Sequence, residues 1–310
     1  MRNLFFCLLF FLVTITSSFA QRKSLKPSDV ICPDVPNVMI FCGDTIDLTR
    51  FDRRESMDRE LLSFSYMHST TLKIIKKANR YFPLVASILK DNGIPEDIIY
   101  LMVIESSVVP KATSSAGAAG LWQLMTDDAR SLGLEVNNNI DERYNIEKST
   151  LAACKYLKRS YAIFNDWFIV ALSYNRGVSG IKRDMNAQQT NVATDLYLNS
   201  ETSKYIYRIL ACKYLFQNPS RLGFKLRRVD LYPSLSYKTV KWTNTIPSLA
   251  TWAKEHGTNY KLLKLANPWL LDTSMHDKSH KTYYLKIYDD SALNYNPRNT
   301  EVYDRRWVTK

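Results

Sequence analysis

The sequence predicts a mainly α fold: a helical domain followed by a small α+β module of βααβ order. Three observations carry this. Apolar residues recur at helix-like spacings from about Asp47 to Gln217, whereas strand-like alternation appears only late, over Tyr237–Trp242 and Tyr283–Tyr288. With 9 glycines and 11 prolines in 310 residues, the chain has too few breakers for a many-turned β architecture. At roughly 100–200 residues per domain, the length suits one larger and one smaller domain. A 45% hydrophobic and 23% charged composition excludes a disordered polar chain and a multi-span membrane protein. No internal repeat is visible.

The elements follow in order. Met1-Arg2-Asn3 is short and positive, Leu4 to Val13 is apolar, and Ser18-Phe19-Ala20 places small residues before a cut at Gln21. That is the plan of a secretory signal peptide over 1–20. Its apolar run is too short for the roughly 20 residues a bilayer span needs. The rest has no other long apolar run and is expected to be free of stable membrane insertion. Residues 21–79 form an N-terminal extension, irregular through Pro27, Pro33 and Pro36, then helical from about Asp47 to Leu89. Asp91-Asn92-Gly93 breaks that run. Pro95 suits the first turn of the next helix, with Glu96 and Asp97 favourable at its N-terminus. Residues 112–120 form a small-residue loop. Thr126, Asn145 and Asp166 can each cap a following helix, and a further helix over 200–217 stops at Asn218-Pro219. After a linker, the module at 235–288 places helices near Ile246–His256 and Tyr260–Ala266 between its two strands. The tail, 289–310, is polar and basic and is expected to be loose.

Outside the signal, four cysteines remain: Cys32, Cys42, Cys154 and Cys212. An even number in an exported chain permits two disulfides in three connectivities. A Cys32–Cys42 bridge would close a short loop and leave Cys154–Cys212 to join two helices; Cys154 and Cys212 also read as small apolar core residues. No CxxC or Cys/His cluster reads as a metal site, and no cofactor is expected. The formal net charge of +12 favours a polyanionic partner. Export, and the scatter of Lys and Arg along the chain, point to a cell-surface polymer and away from nucleic acid. Protein partners are not legible.

The chemistry gathers at Glu105. Seven apolar residues, Ile98 to Ile104, precede it, and Ile98, Leu101, Met102 and Glu105 stand at i, i+3, i+4 and i+7. One helix face thus carries three large apolar side chains and then a carboxyl group. Desolvation there favours the neutral acid, as a general acid requires. Pro110 ends the helix. The Gly117/Gly120 loop lets backbone approach something bulky, and Trp122, Gln123, Tyr174 and Asn175 add rings and amides suited to a sugar. Each also has an ordinary reading: Trp122 as core, Asn175 as a helix cap, Tyr174 as interfacial.

Together these segments resemble the soluble lytic murein transglycosylase domain, most closely the D type of membrane-bound lytic transglycosylase, over 80–222. The carrying residues are Glu105-Ser106-Ser107, Pro110, Ser115 to Gln123, and Ala171 to Gly177. Asp141-Glu142-Arg143, Ala152 to Leu157 and Glu201 to Tyr205 extend the match. The resemblance implies a lysozyme-like helical fold that cuts the MurNAc–GlcNAc β-1,4 bond of peptidoglycan glycan strands. Glu105 would be the sole acid and base, and the muramoyl 6-hydroxyl the nucleophile. Ser106, Gln123, Tyr174 and Asn175 match substrate-contacting positions, and Tyr205 a tyrosine near the acid. Ser173 departs from the usual Ala, and Arg176 precedes Gly177. The segment 237–288 resembles a divergent LysM domain, which implies binding to N-acetylglucosamine chains, although Thr243-Asn244 replaces the usual Gly-Asp. The rival readings are a goose-type muramidase that hydrolyses the same bond with water, and an inactive peptidoglycan-binding wall protein.

Overall fold

The computed structural model describes residues 32–276 and 281–309. The expected signal peptide, and the extension as far as residue 31, lie outside the described residues. From Cys32 onward the chain forms one compact unit with two hydrophobic clusters, one helical and one in the C-terminal module.

The helical part is mainly α, as expected. A hairpin, β1 (Val38–Phe41) and β2 (Asp44–Asp47), opens it. This hairpin corrects the irregular reading of the proline-rich start. Met39, Phe41 and Ile46 face inward while Val38 and Ile40 face out. That alternation is real, but only four residues long in each strand. The stretch from 47 to 89 is two helices, α1 (Phe51–Tyr66) and α2 (His68–Asp91). They part at Met67, where Thr71 Oγ1 donates to the Phe64 carbonyl at 2.7 Å. Helix α3 (Ile99–Ser106) is apolar almost all round and is buried accordingly. A short α4 (Thr126–Ser131) follows. Then come α5 (Ile146–Phe164) and α6 (Trp167–Arg176), capped as expected by Asn145 and Asp166 side chains on backbone N–H groups. Helix α7 (Val178–Gln188) was not anticipated. Helix α8 (Ser200–Gln217) runs through the centre, against α1, α3 and α6.

In the module, β3 (Tyr237–Trp242) pairs antiparallel with β4 (Tyr283–Tyr288), from Tyr237 opposite Tyr288 to Trp242 opposite Tyr283. Between them lie α9 (Leu249–Glu255), capped by Ser248, and α10 (Tyr260–Ala266), capped by Asn259. Leu249, Trp252, Leu263, Leu285 and Ile287 close its core, and Ile140 joins them from the helical part.

Two further expectations need correction. Linker and tail are both docked. Phe224, Leu226 and Leu231 are buried in the helical core. The supposedly loose tail returns to it through Tyr303 and Trp307, whose rings meet Phe82, and Trp307 also meets Phe216. Truncating a side chain buried like Trp307 typically costs about 3–5 kcal/mol. All four cysteines are free. Cys32 is exposed, whereas Cys42 sits at the hairpin turn with its N–H donating to Asp97 Oδ2 at 2.7 Å. Cys154 and Cys212 are small apolar core residues, each on its own helix.

Candidate active site

Glu105 stands in the last turn of α3. The chain then reverses through Ser107 and Val108, both with positive φ. A buried β-branched residue in that conformation is strained, and such strain concentrates at functional sites. The reversal carries the chain through Pro110 into the small-residue loop.

The Glu105 carboxyl remains partly exposed but largely desolvated. Tyr205 on α8 donates its phenol to Glu105 Oε1 at 2.5 Å. Burial drives the Glu105 pKa up to about 7; the Tyr205 bond pulls the other way, repulsion from Glu201 adds to the rise, and Arg208 lowers it. Burial first, and then the neighbouring Glu105, push the phenols of Tyr174 and Tyr205 well above their ordinary range, so both stay protonated donors. Tyr174 donates its hydroxyl hydrogen bond to the Trp122 carbonyl at 2.7 Å. One carboxyl is thus bonded to one neutral phenol and lies within the electrostatic reach of a second, able near neutral pH both to hold a proton and to release it.

Loop 112–124 meets this group through the Trp122 carbonyl that Tyr174 bonds. Short bridges tie Ala119 to Thr113 and to Leu124. Its shape is fixed from outside by a buried ion pair: Arg143 Nη2 lies 2.7 Å from Asp141 Oδ2. Arg143 Nη1 donates to the carbonyls of Gly117 at 2.8 Å and Leu124 at 3.1 Å. Gly120 has φ +80°, and a Cβ there would lie 2.0 Å from the Arg143 carbonyl oxygen, so this close approach requires glycine. Asp141 and Arg143 carry the loop, although the sequence offered them only as part of a wider match.

The anticipated contact residues divide. Tyr205 bonds Glu105 directly, and Tyr174 feels its charge while bonded to the Trp122 carbonyl. Asn175 is exposed at the end of α6, its Oδ1 accepting from Thr202 Oγ1 at 2.9 Å. Gln123, with φ +48°, faces the loop and donates to the carbonyls of Gly120 and Ala112. Ser106 is buried with its hydroxyl on the Met102 carbonyl at 3.0 Å. Trp122 is fully buried, its Nε1 donating to Thr150 Oγ1 at 2.9 Å. The ring is therefore core and cannot form a sugar platform.

Residues 84–197 match the family model of the transglycosylase SLT domain. Residues 238–291 match that of the soluble lytic transglycosylase C-terminal LysM-like domain. The chain is similar to the membrane-bound lytic murein transglycosylase D of Escherichia coli strain K12, with 32% identity over 222 residues, covering 68% of this chain and 47% of that protein. It is also similar to the membrane-bound lytic murein transglycosylase C of Haemophilus ducreyi, with 26% identity over 181 residues, covering 51% and 48%. The chain thus spans about half the length of these curated relatives. Among solved structures, the 70 kDa soluble lytic transglycosylase of Escherichia coli aligns over 55% of this chain and 30% of its own, at 20% identity and a TM-score of 0.42. Among the described residues, no helix is long and apolar enough to cross a membrane.

Proposed function

We propose that this chain is a lytic transglycosylase of peptidoglycan, a carbon–oxygen lyase that cuts the MurNAc–GlcNAc β-1,4 bond. The observation that carries the reading is a single carboxyl group, Glu105, raised to a pKa of about 7 and partnered by a phenol. As the acid, Glu105 gives its proton to the glycosidic oxygen leaving with GlcNAc. The bond from C1 to that oxygen breaks. The muramoyl 6-hydroxyl closes onto C1 and passes its proton to the Glu105 carboxylate, which restores the acid. The products are a GlcNAc end and a 1,6-anhydro-muramoyl end, and no water is consumed. Ordinary glycosidases position two carboxyl groups about the bond; an intramolecular nucleophile removes that need. Glu201, paired with Arg208 at 3.5 Å, is the carboxylate whose field reaches Glu105.

In this reading Tyr174 and Asn175 line the sugar path, and Ser106 and Gln123 support it from behind by shaping backbone. The LysM-like module binds glycan, the chain is exported to the periplasm or cell envelope, and its role is cell-wall remodelling. Mass spectrometry of purified peptidoglycan after digestion tests the reaction. Anhydro ends, lighter by one water than reducing ends, are expected. Reducing ends alone would establish a muramidase, and no cleavage with retained wall binding would establish an inactive binding protein.

A further inference from the structure

The C-terminal module meets the helical part at a short hairpin, residues 135–142. Its two arms are tied together by Glu142 N–H on the Glu135 carbonyl at 2.8 Å and Asn137 N–H on the Ile140 carbonyl at 2.7 Å. Its outer edge belongs to the module. Ile140 bridges Leu270 as a β-pair and lies wholly within the module's core. Asp141 N–H donates to the Trp269 carbonyl at 2.9 Å, and Leu271 N–H to the Asn139 carbonyl at 2.9 Å. The Asn139 side chain donates to the Ser274 carbonyl and accepts from the His276 N–H, each at 2.9 Å. Its inner edge belongs to the site. Three residues after Ile140, Arg143 holds the carbonyls of Gly117 and Leu124, and its own carbonyl abuts Gly120. The loop so held presents the Trp122 carbonyl to Tyr174, whose phenol lies within the electrostatic reach of Glu105.

We propose that Ile140 and Arg143 are positioning residues through which the C-terminal module holds loop 117–124 in register with Glu105. The module is then part of the frame of the active site, whatever polymer it also binds. The inference rests on the proposed function for its catalytic readout and on geometry alone for its structural one.

The test uses the full chain with Ile140→Ala, compared with Ile140→Val. Two quantities are read at a temperature where circular dichroism shows the variant folded. The first is hydrogen exchange at the amides of Ala119, Gly120 and Leu124, which are bonded within the loop. The second is kcat and KM on soluble glycan strands. The expected result is faster exchange in the loop with unchanged exchange in α8. A fall in kcat between about 10-fold and 10²-fold should accompany it, with a smaller change in KM, because small displacements of a positioned site carry such losses. Ile140→Val should restore most of both. Asn139→Ala removes side-chain bonds to the module, among them those to Ser274 and His276, and should move both quantities the same way by less. Wild-type loop exchange and kcat in Ile140→Ala, or in Asn139→Ala should Ile140→Ala not fold, overturn the proposal. A wild-type chain that cleaves no glycan while the exchange coupling persists refutes the proposed function and leaves the frame standing.

Discussion

Two desolvated carboxyl groups of the helical part, Glu105 and Asp141, differ in their partners. Glu105 is bonded to a phenol, and Asp141 to a guanidinium. A neutral donor on a desolvated acid leaves the proton competitive with the charge, whereas a cation in a forked bond fixes the charge and its geometry. The partner thus decides whether a buried carboxyl group serves as a proton store or as a brace. The first side makes the chemistry and the second makes the shape.

The sharpest way to break that comparison is Glu105→Gln, which keeps size and helix propensity and removes the transferable proton. Cleavage should fall by at least about 10²–10⁴-fold with an unchanged circular dichroism spectrum. A variant that kept a tenth of the wild-type rate would falsify the assignment of the acid. On the other side, Arg143→Met leaves Asp141 buried and uncompensated. A loss of about 3–5 kcal/mol in denaturant unfolding is expected. Arg143→Lys keeps the charge without the fork and should fall between; equal losses for Lys and Met would mean that charge plays no part.

The pH dependence separates the two sides next. The Glu105 pKa is raised from 4.5 to about 7 in the folded chain. The folded state therefore binds the proton more tightly than the unfolded one. That contribution to stability is fully present below 4.5 and is lost as pH rises through about 7. Unfolding measured below and above this window should show wild type losing up to about 3 kcal/mol relative to Glu105→Gln. Cleavage should decline over the upper part of the same window, because the acid form disappears. A rate that climbed steadily through it would point to a basic group. Smaller again is the contrast between two glycines. Gly117→Ala meets open space and carries only the cost of its positive φ, about 1 kcal/mol, while Gly120→Ala adds a collision with backbone and should cost more. Thermal unfolding of the pair would show it. The smallest change is Tyr205→Phe. It removes the bond that favours the carboxylate, so the falling limb of the pH–rate profile should move upward; a downward move would reverse the role given to the phenol.

Legibility followed the range of the interaction. Glu105 was visible because its burial is written into one helix face, as were the Asn145 and Asp166 caps, β3, β4 and α10. The break at Met67 depends on a hydroxyl reaching back seven residues, and α7 carries one buried residue, Ile181, too few for a stripe. The inward turn of Trp122 and Ser106 depends on what packs around them, and neither residue type announces it. Ile140 reads as an isolated apolar residue among asparagines; its partners lie more than a hundred residues away. The tail reads as polar because its docking rests on two rings, Tyr303 and Trp307, and on backbone bonds to Asn79 and Leu226 that no residue type announces.

That docking also bears on the order in which the protein is made. Leu226 and Val308 lie side by side as a parallel bridge, so the chain leaves the helical core, builds the module and returns to finish what it left. During synthesis, Phe82 and Phe216, already packed on each other and on Tyr100, wait for the Trp307 ring, which is translated only after the whole module. A message or protease that stopped the chain inside the module would therefore damage the older part as well as the younger, leaving an aromatic groove open on a nascent helical core.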